Sequence, residues 1–393
     1  MNIKNLVSER ASIFTNSPLS EILKVAGKPS VISLAGGLPA PGSFPLQIIS
    51  ELHSYIIKTY AGAAFQYGPA NGVLVLREAV AHWLKEKNIS TTADNIGITS
   101  GSQGALDAIG RLFINRGDVV AVESPTYLGA LDAFAPYYPN YAEIQTDAEG
   151  ALPESLEQLA KTTKIKFVYL IPTFQNPTGK TISKERRVQI ANIIKKYNLL
   201  LIEDDPYSTI RYRGNAVDPI QTLIPENTIY LGTFSKILAP GMRIGFYVAS
   251  EEIVSLLTAA KSSVDLHTNS YGQYLAAEYL KQGFLKAHLP KIINLYKNRQ
   301  EAMLNALSTT LPNGYVWTRP EGGMFIWVEG PKNVDMKKLY YAAVEKNVAY
   351  VPGEFFYTKK TEGKNTLRLN FTNVDEEKIK KAITILSTVF KTL

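Results

Sequence analysis

The sequence predicts an α/β fold, with a large domain built on a mainly parallel sheet covered by helices on both faces and a smaller α+β domain at the C-terminal end. Three observations predict it. The 393 residues are 45% hydrophobic and 20% charged, the balance of a soluble globular chain with a large core, and that length favours two domains. From about residue 97 to residue 248 short apolar runs alternate with helical patterns, as strands buried between crossover helices do. After about residue 290 the pattern changes to one long helix and then strand-like runs around 315–328, 349–351 and 367–371. The expected division is an N-terminal lid or arm over 1–45 that joins the small domain, a large domain over 46–290 and a small domain over 291–393.

The elements follow in order. After Gly72, the residues Val73, Leu76, Val80, Trp83 and Leu84 recur at helical spacing and predict one buried helical face. Apolar runs at 119–122, 167–171, 199–202, 229–231 and 244–248 predict strands, and among them Ile190, Ile193, Ile194 and Tyr197 mark a helix. Near the end, Asp375 is a good N-cap, Glu376 and Glu377 suit the positive end of a helix dipole, and Ile379, Ile383, Leu386 and Phe390 form an apolar stripe. These stripes read as core. No repeat, low-complexity tract or long linker interrupts the chain.

Composition excludes several classes of function. Residues 1–13 alternate polar, charged and apolar side chains, unlike a secretory signal. No run approaches the roughly 18 apolar residues of a membrane span. With 0 cysteines, disulfides and thiolate metal sites are excluded. The four histidines, His53, His82, His267 and His288, show no metal-ligand spacing, so no metal is expected. The charge of +7 comes from 42 basic and 35 acidic residues scattered along the chain, whereas nucleic-acid binders cluster their charge. A cytoplasmic protein without nucleic-acid or membrane partners is the expectation.

In an open α/β sheet, ligands bind beyond the carboxyl ends of the strands, so the residues after each apolar run carry the information. After 96–99 come Ser100, Gly101, Ser102, Gln103 and Gly104, then a helical run. Such a loop presents backbone N–H groups and a positive dipole end to a phosphate, although a plain strand-to-helix turn reads the same. After 167–171 come Asn176, Pro177, Thr178 and Gly179, and after 199–202 come Glu203, Asp204, Asp205 and Tyr207. Acids at a buried strand end need a cation or a donor, with turn capping as the plain alternative. After 229–231 come Thr233, Phe234, Ser235 and Lys236, then Gly241, Arg243 and Gly245; a lysine so placed binds phosphate or forms a Schiff base. Four strand ends with matched polar groups point to one ligand site.

With these residues in view, the chain resembles the class I/II, fold-type I pyridoxal-phosphate aminotransferases over nearly its full length, and within them the 2-aminoadipate and kynurenine aminotransferase group. The matching stretches are 33–45 (SLAGGLPAPGSFP), Gln66-Tyr67-Gly68, 100–106, Pro125-Thr126-Tyr127, 176–179, 204–207, 233–245, 319–327 and 366–370. The resemblance implies a seven-stranded, mainly parallel sheet in the large, cofactor-binding domain. It implies that Lys236 carries pyridoxal 5'-phosphate as a Schiff base and afterwards moves the substrate proton, a task for which burial beside Arg243 would lower its pKa. Asp204 would pair with the pyridine nitrogen, Asn176 and Tyr207 with the phenolic oxygen, and Tyr127 would stack on the ring. Ser102, Gln103, Ser235 and Arg243, assisted by Thr233, would hold the phosphate. Tyr67 would reach that phosphate from a neighbouring subunit, which implies a homodimer. Cis peptides are implied before Pro125 and Pro177.

Arg368 is the implied clamp for the substrate α-carboxylate, with Asn176 and the backbone at Gly36 and Gly37 beside it. Leu367, Leu369 and Phe371 alternate with Arg368 and Asn370, so a strand there would turn its apolar face inward and both polar groups to the other side. Glu203 and Asp205 read as structural. In the resembling group the segment near 17–23 is a mobile lid over the substrate side chain, and some members that take acidic substrates carry an arginine in it. Here it reads Ser17, Pro18, Leu19, Ser20, Glu21, Ile22, Leu23, which deprives an acidic side chain of a partner, although Arg10, Lys24 and Lys28 lie nearby. Ile13, Phe14, Leu19, Ile22 and Leu23 would instead cover an apolar or aromatic side chain. The expectation is a broad-range transaminase that joins such amino acids, or 2-aminoadipate, to a 2-oxo acid such as 2-oxoglutarate. A carbon–sulfur β-lyase would share every cofactor residue. A regulator's effector domain is a third reading, weakened because the chain begins almost at the lid segment.

Overall fold

The computed structural model describes residues 1, 3, 6–15, 24, 27–359 and 361–391. Its strands in chain order are β1 (Ile32–Ser33), β2 (Ile96–Thr99), β3 (Val119–Glu123), β4 (Asn140–Ile144), β5 (Thr146–Asp147), β6 (Gly150–Ala151), β7 (Ile165–Leu170), β8 (Leu201–Asp204), β9 (Thr228–Thr233), β10 (Gly245–Val248), β11 (Val316–Trp317), β12 (Phe325–Glu329), β13 (Val348–Ala349), β14 (Val351–Pro352) and β15 (Thr366–Asn370). Seven of them form the main sheet, in the order β2-β10-β9-β8-β7-β3-β4. β10 alone runs antiparallel to its neighbours.

The period-two rule of strands explains why this sheet is apolar on both sides. Val168 and Leu170 of β7 pack with Leu201, Ile190 and Ile194 on one face, beneath the helices Pro153–Thr162 and Lys184–Lys196. Phe167 and Tyr169 point to the other face, into the larger core with Ile202 and Phe134. Strand β8 extends past the expected run at 199–202 and takes in Glu203 and Asp204. Glu203 tolerates that position because its carboxylate accepts the backbone N–H groups of Ile220 and Gln221, at 2.9 and 2.7 Å.

The C-terminal part is an α+β unit. Its antiparallel sheet runs β11-β12-β15-β14, and the helix Glu376–Phe390 starts on Asp375, whose carboxylate accepts Lys378 N–H at 2.8 Å. The helix Phe284–Thr310 runs unbroken through residues 290 and 291, with Pro290 inside it. The N-terminal segment joins this unit, because β1 pairs in parallel with β13 and the chain then follows β15, where Asn370 N–H donates to the Leu34 carbonyl at 2.8 Å. That course delivers Gly36 and Gly37 to the edge of the main sheet. The peptides Ser124–Pro125 and Asn176–Pro177 are both cis. Among the described residues no helix is long and apolar enough to cross a membrane.

Candidate active site

β2, β3, β7, β8 and β9 end along one edge of the main sheet, and the reversed β10 begins there, so the loops at six strand termini meet. A cavity of about 400 Å³ lies at this edge. Every residue that the resemblance placed against the cofactor or the substrate α-carboxylate lines it except Tyr67.

One corner gathers groups whose chemistry suits an anion. The helix Gly101–Phe113 starts directly after β2, so its first backbone N–H groups lack helical partners. Gly101 sits at φ +69°, and a Cβ there would lie 2.6 Å from Arg243 Nη2. A Cβ on Gly245 would lie 2.6 Å from the Gly101 carbonyl carbon. These two glycines therefore let the helix start, β10 and Arg243 close on one another. Arg243 donates to the Pro240 and Ser100 carbonyls at 3.3 and 3.1 Å. The Thr233 hydroxyl donates to Ser235 Oγ at 3.0 Å, and Gln103 donates to the Gly129 carbonyl at 2.9 Å. Ser102 Oγ is buried and has no partner among the described residues.

The same cavity holds groups with displaced acidities. Lys236 Nζ donates to the Gly37 carbonyl at 3.0 Å, and burial, then the Arg368 and Arg243 charges, push its pKa down to about 8. Burial pushes Asp204 up to about 7 against the Tyr169 hydroxyl, which donates to Oδ2 at 2.8 Å, while neighbouring Asp205 adds to the rise. Asp204 Oδ1 is buried and unpartnered. Tyr207 accepts a hydrogen bond from Asn176 Nδ2 at 3.3 Å. Tyr127 also lines the cavity, and burial, then Asp204, raises its phenol to about 12.

Arg368 reaches in from β15. Its guanidinium lies 4.2 Å from the Phe325 ring centroid and 4.9 Å from that of Phe356. Nη1 donates to Asn176 Oδ1 at 2.8 Å and Nη2 to the Ala35 carbonyl at 2.6 Å, while Nε is buried with no partner. Burial, against Tyr207 and Tyr127, draws its pKa down to about 10. The expected two-sided strand is buried throughout; Asn370, on the polar side, is satisfied by the Met324 carbonyl and Thr372. A Cβ on Gly37 would stand 2.9 Å from Phe325, so only glycine fits there without a shift.

Glu203 and Asp205 do not line the cavity. Asp205 pairs with Lys87 at 2.9 Å and accepts from Ser208 and Tyr230 at 2.5 and 2.6 Å. Tyr67 is 78% exposed and meets the His267 ring edge-on at 5.7 Å, away from this chain's cavity. The lid segment 17–23 lies outside the described residues. Ile171, Pro206 and Phe325 line the cavity without having been singled out as site residues. Gln175, outside the cavity lining, donates to the Pro125 carbonyl at 2.8 Å and accepts from Thr178 N–H at 2.9 Å, tying two site loops together.

The aminotransferase class I and II family matches residues 47–386 of this chain. The chain belongs to that family. This aminotransferase is 47% identical to aromatic-amino-acid aminotransferase 1 of Thermococcus litoralis, over 100% of this chain and 95% of the relative. It is 37% identical to the 2-aminoadipate transaminase of Thermus thermophilus, over 96% and 94% of the two chains. The solved kynurenine aminotransferase of Pyrococcus horikoshii, in complex with PMP, superposes with a TM-score of 0.96 at 47% identity and covers 100% of this chain and 98% of its own. The aminotransferase is a pyridoxal-phosphate-dependent transaminase of fold-type I, as its sequence implied. Its cavity fits that cofactor, with an anion corner at one end and, elsewhere in it, a buried lysine and an orphaned carboxylate oxygen.

Proposed function

We propose that this enzyme moves an amino group between L-amino acids with apolar or aromatic side chains, or 2-aminoadipate, and a 2-oxo acid such as 2-oxoglutarate, with Lys236 as the lysine that holds pyridoxal phosphate. The observation that carries the assignment is Lys236 itself, a buried amine with a single carbonyl partner, biased to its neutral form beside two arginines. Only the neutral amine is a nucleophile. The range of side chains draws on relatives named for aromatic amino acids, kynurenine and 2-aminoadipate, and on the apolar Leu128, Ile171 and Phe325 in the cavity wall.

The remaining roles follow from the chemistry of each side chain. Ser102, Gln103, Thr233, Ser235 and Arg243 with the helix start would hold the phosphate. Tyr127 would lie against the ring face, and Asn176 and Tyr207 would bond its phenolic oxygen. Asp204 Oδ1 would accept the N–H of the pyridine ring. When bound, the cofactor supplies an electron sink for the pair left on the substrate α-carbon. Arg368, pinned through both Nη atoms, would orient the α-carboxylate together with Asn176 and the Gly37 backbone. Lys236, once released, would carry the proton to and from the α-carbon.

Tyr67 would complete the phosphate site of a second copy in a homodimer; with Phe65 at 66% and Tyr67 at 78% exposure, a partner would cover apolar surface. A cytoplasmic location and the division into an arm over 1–45, a large domain over 46–290 and a small domain over 291–393 belong to the same proposal. Mixing the cofactor-loaded enzyme in single turnovers with 2-aminoadipate, glutamate, leucine, phenylalanine and kynurenine tests it. The absorbance of the cofactor's aldehyde form should give way to that of its amine form, fastest with the apolar and aromatic donors. Ammonia release without that change would overturn the reading in favour of a lyase. Sedimentation of a fully active monomer would overturn the dimer.

A further inference from the structure

Three consecutive acids end β8 or follow it, and their surroundings differ. Glu203 is satisfied by two backbone N–H groups and Asp205 by Lys87 and two hydroxyls. Among the described residues Asp204 meets one hydrogen-bond donor, the Tyr169 hydroxyl, and its other oxygen is left open. Tyr169 is fully buried on β7, where its backbone partner across to β8 is Ile202. Asp204 lies two residues further along β8, on the same face and one diagonal step away, within reach of a long aromatic side chain.

We propose that Tyr169 is a positioning residue for the cofactor, whose hydroxyl holds Asp204 ionised and turned so that Oδ1 meets the cofactor's ring nitrogen. The inference rests on the pairing of Asp204 with that nitrogen given above. A single donor on Oδ2 fixes the rotation of the carboxylate and favours its charged form. Without it, burial and the adjacent Asp205 both favour the protonated acid, which would present a proton where an acceptor is needed. Tyr169 stays protonated, because burial and then the Asp204 charge raise its own pKa well above the usual phenol range. The ring packs edge-on against Phe134, so phenylalanine preserves the packing and removes only the donor.

The test is a double-mutant cycle on the full-length enzyme, with Tyr169→Phe, Asp204→Ala and the double variant freed of cofactor and titrated with pyridoxal phosphate. Tyr169→Phe should weaken binding by roughly tenfold or more, the scale of a hydrogen bond to a charged group. It should shift the visible absorbance of the bound cofactor in the same direction as Asp204→Ala does. In the Asp204→Ala background the tyrosine change should add almost nothing, since no carboxylate remains to be positioned. Unfolding midpoints of the cofactor-free forms separate a packing loss from lost coupling. Equal weakening in both backgrounds, or wild-type affinity and spectrum for Tyr169→Phe, would overturn the role of Tyr169. Wild-type binding and spectrum for Asp204→Ala would instead remove the Asp204 pairing on which it rests.

Discussion

Where the main sheet ends, several of the cavity's polar groups are left open, whereas the guanidinium that reaches in from β15 at the other end is largely tied down. Ser102 Oγ and Asp204 Oδ1 are buried without partners, and Lys236 meets one carbonyl. Arg368, by contrast, is gripped by Asn176, the Ala35 carbonyl and two aromatic rings, with only Nε free. Open buried polar groups destabilise a fold unless a ligand satisfies them. A resident group would satisfy those at the sheet end, while the guanidinium would keep its geometry as substrates came and went.

The largest effect should follow from Lys236→Ala. It removes the one lysine amine among the described residues that line the cavity, so nearly all transamination should be lost and the cofactor held at most non-covalently. Substantial turnover with a wild-type spectrum would move the covalent role to another lysine. Arg368→Lys acts at the opposite end. It keeps a charge but loses the fork, so kcat/KM for the amino donor should fall by roughly two orders of magnitude, in the range for breaking buried charge pairs. Its cofactor affinity should stay near wild type. An equal loss of cofactor affinity would show that the two ends are not separable.

A pH series sharpens the same contrast, because the two ends are coupled through charge. In the proposed role only neutral Lys236 would capture the cofactor, and its pKa is lowered to about 8. Below that pH the capture rate in cofactor-free enzyme should rise about tenfold per unit, then level off above it. Arg368→Met removes a cation that lowers this pKa, so the inflection should move upward, as rapid-mixing absorbance would show. An inflection that stays put would mean that burial and Arg243 tune the lysine without Arg368.

The sheet end was readable from sequence because strand ends in an open α/β sheet collect ligand-binding residues, and Gly245 beside Arg243 does mark a close approach, whereas Gly241 stands in open space. The open or satisfied state of each acid was not readable. Glu203, Asp204 and Asp205 are adjacent in sequence, yet their partners come from residues 220–221, 169 and 87. Tyr169 passed as one more apolar strand residue, although a buried phenol demands a partner for its O–H. Phe325 was hidden for a related reason, since the small-domain sheet carries it to the cavity through β12 pairing with β15. The side-chain lid was located by resemblance, and its residues 17–23 lie outside the described ones.

The smallest catalytic effect should come from Lys87, which tests whether satisfied and open acids are separate devices. Lys87 Nζ lies 2.9 Å from Asp205 and over the Trp83 ring at 5.3 Å. Burial works to raise the Asp205 pKa, but Lys87 with Ser208 and Tyr230 outweighs it and holds the acid at about 2. Lys87→Ala leaves a buried carboxylate with its hydroxyl donors but no cation, which should cost about 1–3 kcal/mol of stability. Thermal unfolding of the cofactor-free form should reveal that loss. Cofactor affinity should change little, because Asp205 does not line the cavity. If Lys87→Ala instead weakened cofactor binding as strongly as Asp204→Ala, the three acids would act as one electrostatic unit. The distinction between an open sheet end and its satisfied surroundings would then break at that residue.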